Sequence, residues 1–255
     1  MTRLDIGQAT HVGRVRESNE DALLAADLGE HVLVAVADGM GGHAAGEVAS
    51  ALAIEALRAA FDGSASSVSE ALRRSVERAN TAVWEASLSE PALEGMGTTL
   101  VVALVDASGR ATIANVGDSR AYVVEHGSAQ LITRDHTWVA EQVALGGLDE
   151  REAQWHPYRN VLVRAIGTAP DVEVDLFDDV ALDRGQALLL VSDGVTSHLA
   201  SPDLAEAIER SGSAQAAAQT VVREAVERGG SDNATAVVVW QRALNGADDG
   251  DRSDA

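Results

Sequence analysis

Cysteine is absent from the 255 residues, which excludes disulfides, a thiolate metal site and a cysteine nucleophile. Lysine is absent too. All 19 basic side chains are arginine, so any phosphate clamp must come from arginine or from backbone amides. Positive charge is scarce overall: 40 acidic residues against 19 basic ones leave a net charge of −21, which argues against a nucleic-acid partner. The plain reading of that charge is solubility; the sharper one is an acidic field that concentrates divalent cations. No apolar run is long enough to span a bilayer, and the opening Met1–Gly7 stretch has no signal-peptide core. The expectation is a cytoplasmic protein without a membrane partner.

What is there is organised around residues 31–43, His-Val-Leu-Val-Ala-Val-Ala-Asp-Gly-Met-Gly-Gly-His. The apolar, β-branched run reads as a buried strand ending abruptly at Asp38-Gly39, with glycines turning the chain before a helix. Two other places repeat the pattern. Ala187–Ser192 runs into Asp193-Gly194, and Asp232-Asn233 precedes the strand-like stretch Ala234–Trp240. Three carboxylates at the ends of three apolar strands suggest one shared site.

Taken in order, residues 4–30 read as two strands around the charged loop 13–21, for which a solvated turn is the ordinary reading. Helical spacing covers 46–61 and 68–88. Strands follow at 98–105 and 110–116 around an Asp106–Gly109 turn, then at 121–125 and 130–133, as one antiparallel meander. Residues 134–167 form an irregular excursion with short helices at 137–145 and 149–155. Strands resume at 172–176 and 187–192, helices cover 202–210 and 214–228, and the strand 234–240 closes the domain. The expected organisation is a catalytic domain over 1–242 and an acidic, disordered tail over 243–255. The fold class is α+β, with two sheets flanked by helix pairs.

Asp38, Asp193 and Asp232 are hard oxygen donors suited to Mg²⁺ or Mn²⁺, and Asp21 and Asp118 sit at similar polar corners. A single Asp-Gly is ordinary turn chemistry; the weight lies in its recurrence at separate strand ends. If the carboxylates meet, repulsion raises their pKa values until cations neutralise them.

The ordered set Gly13-x-x-Arg16-x-x-Asn19-Glu20-Asp21, Asp38-Gly39-Met40-Gly41-Gly42-His43, Gly97-Thr98-Thr99, Gly117-Asp118-Ser119-Arg120, Asp135-His136-Thr137, His156-Pro157-x-Arg159-Asn160, Arg164-Ala165-Ile166-Gly167, Ser192-Asp193-Gly194 and Asp232-Asn233-Ala234-Thr235 resembles the metal-dependent serine/threonine protein phosphatases of type 2C, in their compact bacterial form. The resemblance spans residues 5–240. It implies a four-layer α-β-β-α sandwich, with a central antiparallel β-sandwich between two helix pairs. It also implies a manganese or magnesium centre of two core ions, with a third, weaker site. Asp38 would bridge the core ions, with the Gly39 carbonyl on one of them. Asp193 and Asp232 would hold the other, and Asp21 would act on the first directly or through water. Asp118, with Asp193, would hold the third ion, and Arg16 would grip the substrate phosphate.

By the same resemblance, a metal-bridging hydroxide attacks the phosphorus of phosphoserine or phosphothreonine in a protein. His43 or a metal-bound water protonates the leaving alkoxide, and a structural role for this glycine-loop histidine stays open. Thr137 and Trp138 depart from the family pattern at the edge of the 134–167 flap, which bears on specificity. Arg120, Arg159 and Arg164 could reach an acidic phosphopeptide, with surface salt bridges as the default reading of each. The expected partners are phosphorylated proteins, including a eukaryotic-like bacterial Ser/Thr kinase, and the expected state is a monomer. Two other readings are a catalytically inactive pseudophosphatase used as a regulatory binding module, and a phosphatase of small esters. Retention of every metal carboxylate favours catalysis.

Overall fold

The computed structural model describes residues 4–42, 44–61 and 67–241. In chain order the strands are β1 (Leu4–His11), β2 (Asp21–Asp27) and β3 (His31–Met40), followed by helices α1 (Ala44–Ala60) and α2 (Val68–Ser89). Then come β4 (Gly97–Thr98), β5 (Leu100–Asp106), β6 (Arg110–Val116), β7 (Arg120–Glu125) and β8 (Ser128–Leu131). The excursion carries α3 (Trp138–Ala144) and α4 (Glu150–Trp155); β9 (Asp175–Ala181) and β10 (Ala187–Val191) follow. A short helix α5 (Asp193–Thr196), α6 (Ser201–Glu209), α7 (Ala214–Glu227) and β11 (Ala234–Gln241) complete the order.

Two antiparallel sheets form. One runs β1-β11-β10-β7-β8, and the other β2-β3-β5-β6-β9 with β4 added beside β3. The strands read as unbroken apolar runs because both faces of each sheet are covered. In β3, Val32, Val34 and Val36 enter the core between the sheets, where they meet Leu188, Leu190, Val237 and Val239. The alternate residues Leu33, Ala35 and Ala37 pack instead on Ala49, Ala53, Leu57, Leu72 and Val76 of α1 and α2. On the far side, Leu189, Val191, Ala236 and Val238 pack on Leu204, Ile208, Ala217 and Val221 of α6 and α7. The period of two along each strand thus separates three cores and generates the α-β-β-α layering.

Several sequence expectations are corrected. The meander is broken at Gly117–Ser119. β6 stays in one sheet while β7 crosses to the other, where Arg120 pairs with Val191. β3 does not stop at Asp38-Gly39 but runs on to Met40, exchanging β5 for β4 as its partner. The strand expected at 172–176 starts at Asp175, because Val172 and Val174 pack against the helical core from the loop before it. Asp193 opens a helical turn that the sequence reading leaves out. The acidic segment 243–255 lies outside the described residues.

Candidate active site

The two sheets bring their polar strand ends to one edge. Asp21, the first residue of β2, stands opposite Asp38 on β3. The Asp38 amide donates to Thr99 Oγ1 at 2.9 Å, and Thr99 Oγ1 meets Ser119 Oγ at 2.7 Å, so the Asp38 strand end and the Asp118 corner share one hydroxyl pair. Asp193 leads α5 immediately after β10, and Asp232 sits just before β11. Glycine is required at the close approaches. A Cβ on Gly39 would lie 2.1 Å from the Gly46 carbonyl oxygen, and one on Gly194 would lie 1.9 Å from that of Asn233. Those contacts let α1 begin over Asp38 and bring Asp193 beside Asp232.

Arg16, Gly39, Asp38, Asp118, Asp193 and Asp232 all line one pocket of about 650 Å³. Asp21 does not line it and is held at depth. Its Oδ2 accepts from Ser192 Oγ at 2.8 Å, and its Oδ1 is buried without a hydrogen-bond partner. Asn160, Leu162, Val163, Arg164 and Ala165 of the excursion form part of the pocket wall. Gly41 and Gly42 line it too. The proposed acid His43 lies outside the described residues.

Burial and mutual repulsion dominate the electrostatics. Burial, then the charges of Asp21, Asp193, Asp118 and Asp232, pushes Asp38 well above the usual carboxylate range. Burial also raises Asp21 to about 7, against hydrogen bonds from Thr235 and Ser192. Asp118 rises to about 7 through burial, then Asp193 and Asp135. Burial and Asp232 raise Asp193.

This donor set fits hard divalent cations. It offers carboxylates and carbonyls without sulfur, its charges are destabilised until neutralised, and it leaves a buried oxygen of Asp21 unpartnered. Among the described residues no three acidic, cysteine or histidine side chains form a cage for a metal ion.

The charged loop after β1 is not a free solvated turn. Asn233 Nδ2 donates to the carbonyls of Val12 (2.8 Å) and Ser18 (2.9 Å), and its Oδ1 accepts from the Glu20 amide at 2.8 Å. The Arg14 amide donates to the Gly230 carbonyl at 2.7 Å. These bonds carry Arg16 to the pocket, where its Nη2 lies 2.7 Å from Asp232 Oδ2. Arg120 is engaged bidentately with Asp135 (2.8 and 2.6 Å), in a largely buried ion pair rather than the surface salt bridge of its default reading. Arg164 holds Asp175 at 2.7 Å while also lining the pocket.

Trp138 stacks on His156 at 4.9 Å and meets the edge of Tyr158 at 5.6 Å, so the large residue at this departure from the pattern serves a local aromatic cluster. Thr137 caps α3 by accepting from the Ala140 amide at 3.3 Å. Sequence reasoning assigned no role to Thr99, Ser192 or Asn233, although each belongs to a motif noted above.

The model of the family described as Protein phosphatase 2C matches residues 9–231. The serine/threonine phosphatase stp of Listeria welshimeri is 37% identical over 210 residues, covering 80% of this chain and 82% of its own. Among solved structures, the PPM Ser-Thr phosphatase MsPP of Mycobacterium smegmatis, in complex with cacodylate, superposes with a TM-score of 0.82 at 36% identity. It covers 94% of this chain and 99% of its own. The catalytic domain of the serine/threonine protein phosphatase PstP, in complex with two manganese ions, gives a TM-score of 0.79 at 32% identity, over 94% of this chain and 99% of its own. Among the described residues, no helix is long and apolar enough to cross a membrane.

Proposed function

This chain belongs to the protein phosphatase 2C family and is a serine/threonine protein phosphatase, and we propose that it hydrolyses phosphoserine and phosphothreonine in proteins at the aspartate-lined pocket. The observation that carries the proposal is the delivery of Asp38, Asp118, Asp193 and Asp232, with Arg16, from separate elements into one pocket. Asp38, the Gly39 carbonyl, Asp193 and Asp232 would hold two Mn²⁺ or Mg²⁺ ions, with Asp21 behind the first and Asp118 at a third. When bound, such ions activate water and offset charge on the phosphoryl oxygens.

The remaining work falls to this chain's own groups. Arg16 presents a planar fork suited to two phosphate oxygens once its guanidinium turns from Asp232. The Asn233 bonds hold the Arg16 loop, so little is lost in ordering it when substrate arrives. The flap residues Asn160 and Leu162, Val163, Arg164 and Ala165 form part of the pocket wall and would shape the approach of the peptide. His43, on the glycine loop, is a candidate donor to the leaving alkoxide.

The reading extends to a cytoplasmic monomer that opposes a Ser/Thr kinase. An inactive binding module is not favoured, because the carboxylates and Arg16 are all retained at the site.

Phosphate release from a phosphothreonine peptide with Mn²⁺, Mg²⁺ or EDTA, for the wild type and Asp193→Ala, tests the proposal. Turnover that needs the ion and is lost in the variant supports it. A folded protein inactive with every ion refutes it, and turnover of p-nitrophenyl phosphate alone would redirect it to small esters.

A further inference from the structure

His136 is buried at the junction of the Asp118 corner and the flap. Its Nδ1 accepts from the Gly117 amide at 3.0 Å, and its own amide donates to the Gly117 carbonyl at 3.0 Å. Gly117 immediately precedes Asp118, so both polar groups of that peptide neighbour are held by one residue. Asn115 adds a brace, its Nδ2 donating to the carbonyls of Gly117 (3.2 Å) and Arg134 (3.0 Å).

The other side of His136 faces the flap. Because Nδ1 accepts, the proton of the neutral ring sits on Nε2, 3.4 Å from Asp175 Oδ2, and the same nitrogen lies 3.3 Å from Arg164 Nη1. Asp175 Oδ1 accepts from Arg164 at 2.7 Å. The Val163 amide donates to the His136 carbonyl at 2.9 Å, and Val163 and Arg164 both line the pocket. Burial, then the Arg164 charge, holds the imidazole pKa down and favours this neutral form.

We propose that His136 is a positioning residue that joins the Asp118 corner to the flap, its Nδ1 setting the corner and its Nε2, through Asp175, setting Arg164 at the pocket wall. The proposal rests on the reading of the pocket as a metal-dependent phosphatase site. A histidine that merely fills space would respond to size alone. This one divides its two nitrogens between two parts of the site, and amide side chains separate them. Asparagine places an acceptor where Nδ1 lies, and glutamine reaches the position of Nε2.

The experiment measures Mn²⁺ binding by titration calorimetry and phosphothreonine-peptide kinetics for the wild type, His136→Asn, His136→Gln and Asp175→Asn, each with a cooperative melt. His136→Gln should weaken Mn²⁺ binding about tenfold with KM held within about twofold. His136→Asn should do the reverse, keeping Mn²⁺ affinity within about twofold while KM rises about five- to tenfold. Asp175→Asn should reproduce His136→Asn, and it carries the test if His136→Gln does not fold.

Equal shifts of the same quantity in both histidine variants, or an Asp175→Asn protein indistinguishable from the wild type, would overturn the proposal. A wild type that binds Mn²⁺ but leaves the phosphopeptide intact would instead refute the phosphatase reading, while the split in Mn²⁺ affinity still decides the role of His136.

Discussion

Asp21 and Asp38 face each other as cross-strand partners at the start of β2 and near the end of β3. Like charges directly opposite in an antiparallel pair are destabilising, and here both carboxyls are buried as well, with Asp21 raised to about 7. The pair stores a cost that only a bound cation or a proton relieves.

Replacing Asp21 by Asn removes one of these charges and keeps the side chain's shape. The metal-free Asp21→Asn protein should melt roughly 2–4 °C above the wild type near neutral pH, while its Mn²⁺ affinity falls. Differential scanning calorimetry in EDTA reads the first change and titration calorimetry the second.

The same electrostatics set a pH dependence. Asp21 and Asp118, both raised to about 7 from the usual carboxylate range, bind protons more tightly folded than unfolded. The stability this contributes is fully present near the unfolded pKa and is lost as pH rises through the folded value. The metal-free protein should therefore lose melting temperature from about pH 5 to about pH 7.5, and Mn²⁺ should restore it most at the upper end. Asp175 and Asp203, whose pKa values are lowered, act in the opposite sense at more acid pH; His136, also lowered, opposes the loss within the window but is one group against two. A flat melting profile in EDTA would contradict the raised carboxylates.

Arg16 meets Asp232 through a half-exposed ion pair, 2.7 Å long with the arginine side chain 49% accessible. Such a pair contributes at most about 1 kcal/mol, so its loss should leave the fold intact. Arg16→Ala should then raise KM for a phosphothreonine peptide about tenfold or more while lowering the melting temperature by only a few degrees. Arg16→Lys should recover little of the loss, because an ammonium lacks the planar fork. Steady-state kinetics on both variants check this.

Gly194 is close to the Asn233 carbonyl, with 1.9 Å left for an added Cβ. Gly194→Ala should destabilise the protein by roughly 1–3 kcal/mol, the usual cost of overpacking. Because the shift moves Asp193 away from Asp232, turnover should fall further than the melting temperature accounts for. Gly212→Ala, where an added Cβ meets nothing, is the control and should behave as the wild type.

Local chemistry made much of this molecule legible in advance. The apolar runs of β3, β10 and β11, the amphipathic stripes of α1, α2 and α7, and the aspartates at strand ends depend on neighbours in sequence, so periodicity and turn chemistry expose them. The nine ordered motifs, by resemblance, located the site residues and the four layers.

What the sequence could not carry was the identity of long-range partners. Ser192 bonds Asp21 across a separation of 171 residues, and Asn233 anchors Val12 across 221. Neither pairing leaves a local mark. For the same reason the crossing of β7 into the second sheet, the extension of β3 to Met40 and the anchoring of the Arg16 loop were decided only in the folded chain. Strand partners and loop anchors are chosen by packing and hydrogen-bond satisfaction among distant segments. The sequence by itself determined which groups are available for chemistry; tertiary structure decided which of them meet.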